Sequence, residues 1–336
     1  MNPVLDLDFK EIEQLPLPWS ELKGTKILLT GATGFICKYL VEMLARVSIE
    51  KNLEMEFWLF RRRGAPESLQ CSNVHWIAGD ITEAFLPEDF RPNIIIHAAS
   101  PANTKAHICD PVGLSQTNIL ATRYLLECAR KHGATFVYFS SAAVYLNQSG
   151  TFSEVSPGEL VKSNATFSLY GASKLAGELL CEDYRRNFGV DCRIIRPFSI
   201  HGPGESLDSG RYFPDFLRQA LRDKEITVTG TGTPVRDSCY LMDFVSGLLY
   251  VLLKGNSTAY NIGNEDNVYT ILELAQKIAG QSGSLNVIGP LSLTDHTSGD
   301  FFVSDTAKLR QLGWKPQVDL PACIQRCLDS YRYAGS

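Results

Sequence analysis

Lys26-Ile-Leu-Leu-Thr30 runs directly into Gly31-Ala-Thr-Gly34-Phe-Ile-Cys37, and the chain continues with an apolar-periodic run from Lys38 to Val47. A short, unbroken apolar stretch reads as a buried parallel strand, and the periodic run reads as an amphipathic helix. Between them, Gly31 and Gly34 let the backbone turn tightly and approach a pyrophosphate held at a helix N-terminus. The third glycine of such a turn is replaced by Cys37, a small side chain where helix and strand pack together. An ordinary tight strand-to-helix loop is the other reading of the same residues. Outward from this point the rhythm repeats. Phe57–Phe60, Val74–Ile77, Ile94–Ala98, Thr135–Phe139 and Cys192–Arg196 read as strands, with helices around Leu114–His132 and Tyr170–Phe188. That alternation predicts an α/β fold with a doubly wound parallel sheet covered on both faces. After Pro197 the pattern breaks into glycine-marked loops and short elements, as expected of a smaller α/β lobe. The predicted organisation is an N-terminal arm (1–24), a dinucleotide-binding domain (25–198, with later segments) and a mainly substrate-binding lobe (199–336).

Tyr170-Gly-Ala-Ser-Lys174 carries the clearest chemistry. Residues four apart share a helix face, so an ammonium sits beside a phenol and draws its pKa down. Such a phenol can take a proton from a hydroxyl while a nicotinamide takes the hydride. The spacing alone recurs by chance; its position behind the glycine turn gives it weight. Ser141 ends the fifth strand, at the sheet edge where open α/β folds place ligands, and its hydroxyl can bond the reacting oxygen. A strand-end turn serine is the plainer alternative. Phe60 is followed by Arg61, Arg62 and Arg63, where an NAD site usually presents an acid to the ribose; arginine can instead grip a 2′-phosphate. The expectation therefore leans toward NADP over NAD, against a plain solvated basic loop. Asp80 and Ile81 follow the third strand, where a carboxylate can meet an adenine amino group or simply cap a turn. His97-Ala98-Ala99-Ser100 closes the fourth strand with small residues suited to close ligand approach, His97 itself reading as a satisfied core histidine. Arg211 and Arg236, in glycine-bordered segments, suit a diphosphate.

The bulk properties exclude other classes. The 336 residues are 44% hydrophobic and 21% charged, with a net charge of −5, which gives no general nucleic-acid footprint. Nine cysteines without a C-x-x-C spacing and six histidines without ligand spacing read as scattered thiols and imidazoles, with no metal site. The acidic N-terminus, with Pro16 and Pro18, lacks a signal-peptide pattern. No run approaches the apolar length of a membrane span, and a cytoplasmic location is expected.

Together these residues resemble the extended short-chain dehydrogenase/reductase superfamily, in its NAD-dependent nucleotide-sugar epimerase/dehydratase branch. The landmarks run in order from Gly31-Ala-Thr-Gly-Phe-Ile36 through Gly79-Asp80, His97–Ser100, Phe139–Tyr145, Tyr170–Lys174 and Arg196–Gly204 to Thr229–Asp243, Tyr260–Asp266 and Leu312–Pro316. The resemblance implies a Rossmann-type sheet and a catalytic set of Ser141, Tyr170 and Lys174. It also implies an NAD or NADP site formed by Gly31, Thr33, Gly34, Phe35, Ile36, Arg61, Arg62, Asp80, Ile81, Ala98, Ala99, Tyr170, Lys174, Pro197 and Ser199. The substrate would be a nucleoside-diphosphate sugar held by Ser100, Ser141, Arg211 and Arg236, in an enzyme that commonly forms homodimers through two helices per subunit.

Three departures shape the expected reaction. Ala143 stands where dehydratases and decarboxylases of this branch carry an acid, Ser199 stands where many members have Asn, and His296–Asp300 lacks the usual arginine before Gly-Asp. The expectation is an NDP-sugar 4-epimerase working through a transient 4-keto sugar. The alternatives are a 4,6-dehydratase or a UDP-glucuronate decarboxylase-like enzyme, an NADPH-dependent ketosugar reductase, and, most remotely, a non-catalytic dinucleotide-binding scaffold.

Overall fold

The computed structural model describes residues 2–61, 69, 72–81, 86–87, 89–101, 110–145, 148–157, 167–222, 225–283, 286–290 and 301–335. Seven strands form its central sheet: β1 (Lys26–Thr30), β2 (Glu56–Arg61), β3 (Val74–Ala78), β4 (Ile94–His97), β5 (Thr135–Phe139), β6 (Cys192–Pro197) and β7 (Ala259–Ile262). Their order is β7-β6-β5-β4-β1-β2-β3, and every pairing is parallel. The direction of winding reverses between β1 and β4, where Thr30 lies opposite His97. Ligands of open α/β sheets bind beyond the strand C-termini at such a switch point. Both faces of the sheet are covered, which is why the strands are apolar runs: Ile27, Leu28, Leu29, Ile95 and Ile96 have no accessible surface.

Helices Phe35–Glu50, Ala121–His132 and Phe167–Phe188 flank this sheet. Where one continuous helix was expected around Leu114–His132, a short helix (Pro111–Ser115) passes through a wide π turn (Gln116–Leu120) before Ala121. The second lobe is built on a four-stranded sheet in the order Val268–Thr270, Val235–Asp237, Phe301–Ser304, Gly150–Phe152. Gly150–Phe152 comes from the first half of the chain, so the two lobes share one body.

The N-terminal residues are helical and pack against the body of the chain. Asn2 caps a helix over Pro3–Glu13, accepting from the Val4 amide at 3.0 Å, and the proline at the first helical position has no N–H that needs an acceptor. Phe9 and Ile12 are buried, and Phe9 meets the Tyr39 ring edge-on at 5.0 Å. Arg326, on the Leu320–Gly335 helix, reaches Asp8 at 2.6 Å and Glu11 at 3.0 Å. Asn2 bonds Ser330 at 2.7 Å.

Candidate active site

The glycine turn leaves β1 with Gly31 at φ +77°. A Cβ there would lie 2.9 Å from the Ala99 amide nitrogen, so the backbone after β4 closes directly on the turn and only glycine fits. Gly34 caps the Phe35–Glu50 helix without any side-chain hydrogen bond, which keeps the N-terminal amides of that helix clear of a competing cap. A dinucleotide pyrophosphate fits this cradle on the same physical grounds as any helix N-terminus of this kind. Thr33 is exposed at its lip, and Phe35 and Ile36 are half-buried against the core. Cys37 is buried, and burial pushes its thiol up to about 12; it acts as a small packing group where the helix crosses β1.

Arg61 ends β2 opposite Ala78, and its Nε is buried with no hydrogen-bond partner among the described residues. Arg62 and Arg63 lie outside the described residues, as does the 296–300 segment. Asp80 and buried Ile81 follow β3 just past Gly79. His97 is buried, with Nδ1 2.8 Å from Thr30 Oγ1 and Nε2 3.3 Å from the Thr117 carbonyl. Thr30 Oγ1 also accepts from the Ala99 amide at 3.0 Å, so its own proton goes to Nδ1 and the ring carries hydrogen on Nε2. Burial, with help from the Lys174 charge, drives His97 down to about 3. It is a neutral strut, in keeping with the core role read from the sequence. Ala98, Ala99 and Ser100 follow at the switch point, and Ser100 Oγ is buried without a partner among the described residues.

The structure brings Ser141, Tyr170 and Lys174 together. Ser141 leaves β5 and accepts the Ala143 amide at 3.1 Å, which opens the short helical turn Ala142–Tyr145. Its side chain hydrogen-bonds the Tyr170 phenol. Lys174 is buried one turn further along the helix; its Nζ donates to the Phe139 carbonyl at 2.7 Å and lies 5.2 Å from the Tyr138 ring and 6.0 Å from the Tyr170 ring. Burial pulls Lys174 down to about 7, opposed by the Glu178 carboxylate. Tyr170 is itself raised by burial, and what draws it back is the Ser141 hydrogen bond and the charge of Arg211. Sequence spacing assigned that lowering role to Lys174. In the folded chain the charge that acts on the phenol is that of Arg211, while burial lowers the pKa of Lys174 itself.

Arg211 is therefore within electrostatic reach of the Tyr170 phenol. About half of its side chain is exposed, and its Nη1 meets the buried Glu205 carboxylate at 3.1 Å, whose other oxygen meets His201 Nδ1 at 3.1 Å. His201 stacks on Phe213 with ring centroids 3.9 Å apart. Arg236 lies elsewhere in the lobe, on the Val235–Asp237 strand, where its charge acts on Tyr212. Tyr212 also hydrogen-bonds Ser199, two residues beyond Pro197 at the end of β6.

Behind the set lies a buried network that the motifs did not signal. Glu178 takes two hydrogen bonds from Arg196, at 2.9 and 2.6 Å, and one from Ser140 Oγ at 2.5 Å. Its spacing of four from Lys174 on one helix was the available clue; the partner strand was not readable. A cavity of about 290 Å³ borders Glu178, Arg196, Glu182 and Arg185, and no candidate catalytic residue lines it. Among the described residues no cluster of metal-ligating side chains exists and no helix is long and apolar enough to cross a membrane.

A model of the NAD dependent epimerase/dehydratase family matches residues 27–263. UDP-glucuronic acid decarboxylase 3 of Arabidopsis thaliana is 32% identical over 302 residues, covering 88% of this chain and 85% of that protein. The fold superposes on UDP-glucuronic acid 4-epimerase from Bacillus cereus, solved with UDP-glucuronic acid and NAD, with TM-score 0.77, 27% identity, and coverage of 92% of this chain and 99% of that one. A dTDP-glucose 4,6-dehydratase from Streptomyces venezuelae, solved with NAD, gives TM-score 0.78 at 27% identity, covering 92% of this chain and 97% of that one.

Proposed function

Because this chain belongs to the NAD dependent epimerase/dehydratase family, we propose that it oxidises a nucleoside-diphosphate hexuronate at C4 and releases the sugar carboxylate as carbon dioxide. The observation that carries this reading is the Arg211 guanidinium acting on Tyr170. A half-exposed cation within electrostatic reach of Tyr170 suits the carboxylate of a uronate, and guanidinium–carboxylate pairing is strong and directional. The relatives in Arabidopsis and Bacillus support a uronate substrate and favour uridine as the base, and the Arabidopsis decarboxylase supports loss of the carboxylate.

When bound, the nicotinamide supplies an acceptor for the C4 hydride and later its donor. Tyr170 removes the C4 hydroxyl proton, steadied by the Ser141 hydroxyl. Lys174 holds positive charge beneath the phenol. Oxidation at C4 turns the C6 carboxylate into a β-keto acid, which loses carbon dioxide as electron density moves onto the C4 oxygen. Ser141 and the protonated Tyr170 are the donors that stabilise that oxygen. This route needs no base at C5, only a proton from solvent water that adds to C5 of the resulting enolate and restores the 4-keto sugar before the hydride returns. Dehydration does need such a base, together with an acid for the leaving hydroxyl, and Ala143 supplies neither. The missing acid therefore weighs against dehydration far more than against decarboxylation. The neutral Ala142-Ala143 pair also keeps a second reading, C4 epimerisation with the carboxylate retained.

NAD is the family's dinucleotide, and Arg61 gives this chain a donor for a 2′-phosphate, so both nucleotides belong in the binding assay. A homodimer is supported by exposed Leu120 and Tyr124 on one helix segment and Leu179 and Phe188 on the Phe167–Phe188 helix. The deciding experiment incubates the NAD-loaded chain with carboxyl-labelled UDP-glucuronate. Released labelled carbon dioxide supports decarboxylation, an isobaric product supports epimerisation, and absence of both from all uronates rejects the proposal. Tyr170→Phe should abolish either product.

A further inference from the structure

Glu178 follows Lys174 by one helical turn and is almost fully buried. Its two oxygens are held by the forked Arg196 guanidinium, at 2.9 and 2.6 Å, and Oε1 also accepts Ser140 Oγ at 2.5 Å. Arg196 extends the network through Nη1, which donates to Tyr145 Oη at 2.7 Å and to the Glu154 carbonyl at 3.0 Å. Tyr145 Oη in turn donates to Asn261 Oδ1 at 2.7 Å. One connected set of hydrogen bonds thus ties the catalytic helix, the residue before Ser141, the 142–145 turn, the end of β6 and β7. These are the segments that carry Ser141, Tyr170, Lys174 and Pro197. A buried ion pair is weak evidence for stability, since well-packed apolar residues often do as well. A fully satisfied polar network instead fixes one arrangement of the elements it joins.

We infer that Glu178, clamped by Arg196, is a positioning residue for the Ser141–Tyr170–Lys174 set. It acts in two ways. Through Ser140 it sets where β5 ends and so where the Ser141 hydroxyl points. Through its charge it keeps Lys174 cationic: burial pulls the lysine down, and Glu178 is the opposing influence. Among the described residues, the other titratable groups around Lys174 are Tyr170 on the same helix, Tyr138 on β5 and His97 on β4. None of these is anionic near neutral pH, so Glu178 alone among them can hold the charge. The inference rests on the reading that these three residues perform the sugar oxidation.

The test uses the full chain without cofactor, labelled with [13Cε]lysine, and follows the Lys174 resonance by proton–carbon NMR across pH, assigned by its loss in Lys174→Met. Glu178→Gln and the double variant Glu178→Met/Arg196→Met are compared with the parent. Lys174 should titrate about one pH unit lower in both. In the cofactor-loaded enzyme, kcat for uronate oxidation should fall about tenfold or more in the double variant, with KM little changed, while its thermal midpoint stays close to that of the parent. Should Glu178→Gln alone unfold, the double variant, which leaves no unpaired charge, carries the same readout. Unchanged Lys174 titration and near-parental kcat in a folded double variant would overturn the inference and leave the pair as packing. A shifted Lys174 in a chain whose parent oxidises no uronate would uphold the positioning role and reject the substrate assignment instead.

Discussion

Replacing Lys174 by methionine should abolish turnover and make the cofactor-free protein more stable. The lysine is buried, and its pKa falls from 10.5 to about 7. Below pH 7 the folded state must hold a charge in a poorly solvated site that the unfolded chain carries in water. A fall of that size corresponds to about 5 kcal/mol of destabilisation. The sign follows from proton counting. Between pH 7 and 10.5 the unfolded state binds the proton and the folded state does not, so stability rises with pH across that window. The penalty is fully present below about pH 7 and relieved toward pH 10. Methionine removes it, but also forfeits the bond to the Phe139 carbonyl at 2.7 Å, at about 1–2 kcal/mol. The net gain at pH 6 should be about 3 kcal/mol, shrinking to zero or below near pH 10. Urea unfolding of parent and variant at pH 6, 8 and 10 reads it directly, because the other titrating groups cancel in the difference. A variant less stable than the parent at pH 6, or a difference that does not change with pH, would refute the reasoning.

Arg211→Met should weaken uronate substrates by about 1.5–3 kcal/mol in kcat/KM, the worth of a charge-assisted hydrogen bond, while affecting the corresponding neutral hexose much less; steady-state kinetics on the two sugars separates the cases. Arg326→Met leaves the Asp8 carboxylate, which has no exposed surface, without its cation and should destabilise the fold by about 3–5 kcal/mol. Asp8 is already raised to about 6 by burial, so that loss should grow as pH rises from 5 to 8 and be partly relieved by adding Asp8→Asn, as measured by chemical unfolding. Arg61→Ser should lower NADP affinity about tenfold relative to NAD, read by fluorescence titration; equal changes for both nucleotides would remove Arg61 from 2′-phosphate recognition.

What the sequence conveyed was local. Gly31 was readable because a tight turn and a close approach both demand glycine, and Tyr170 with Lys174 because helical spacing alone puts them on one face. Ser141 followed from its place at a strand end. The Asn2-Pro3 start is also a local signal, an N-cap followed by a first-turn proline, but nothing local shows which surface the N-terminal arm packs on. Long-range partnerships were not legible. Glu178 and Arg196 lie 18 residues apart on different elements, and neither residue type announces the other. Arg211 read as a diphosphate ligand because arginine suits phosphate and carboxylate alike; only the fold shows that its charge falls on Tyr170. The burial of Lys174 was not legible for a related reason. Spacing shows adjacency but not burial, and burial decides how much charge the lysine keeps.

The contact between Arg326 and Asp8 joins residues 318 positions apart. During synthesis the Pro3–Glu13 helix leaves the ribosome long before the Leu320–Gly335 helix exists. Until that partner emerges, Phe9 and Ile12 have lost part of their cover and the acids along the helix lack their arginine. The first half of the chain is made early, yet its first helix must wait, exposed, until the Leu320–Gly335 helix is made. Nascent chains stalled short of residue 320 should therefore keep that helix open to chaperones and proteases, and emergence of the Leu320–Gly335 helix should act as the latch that closes it.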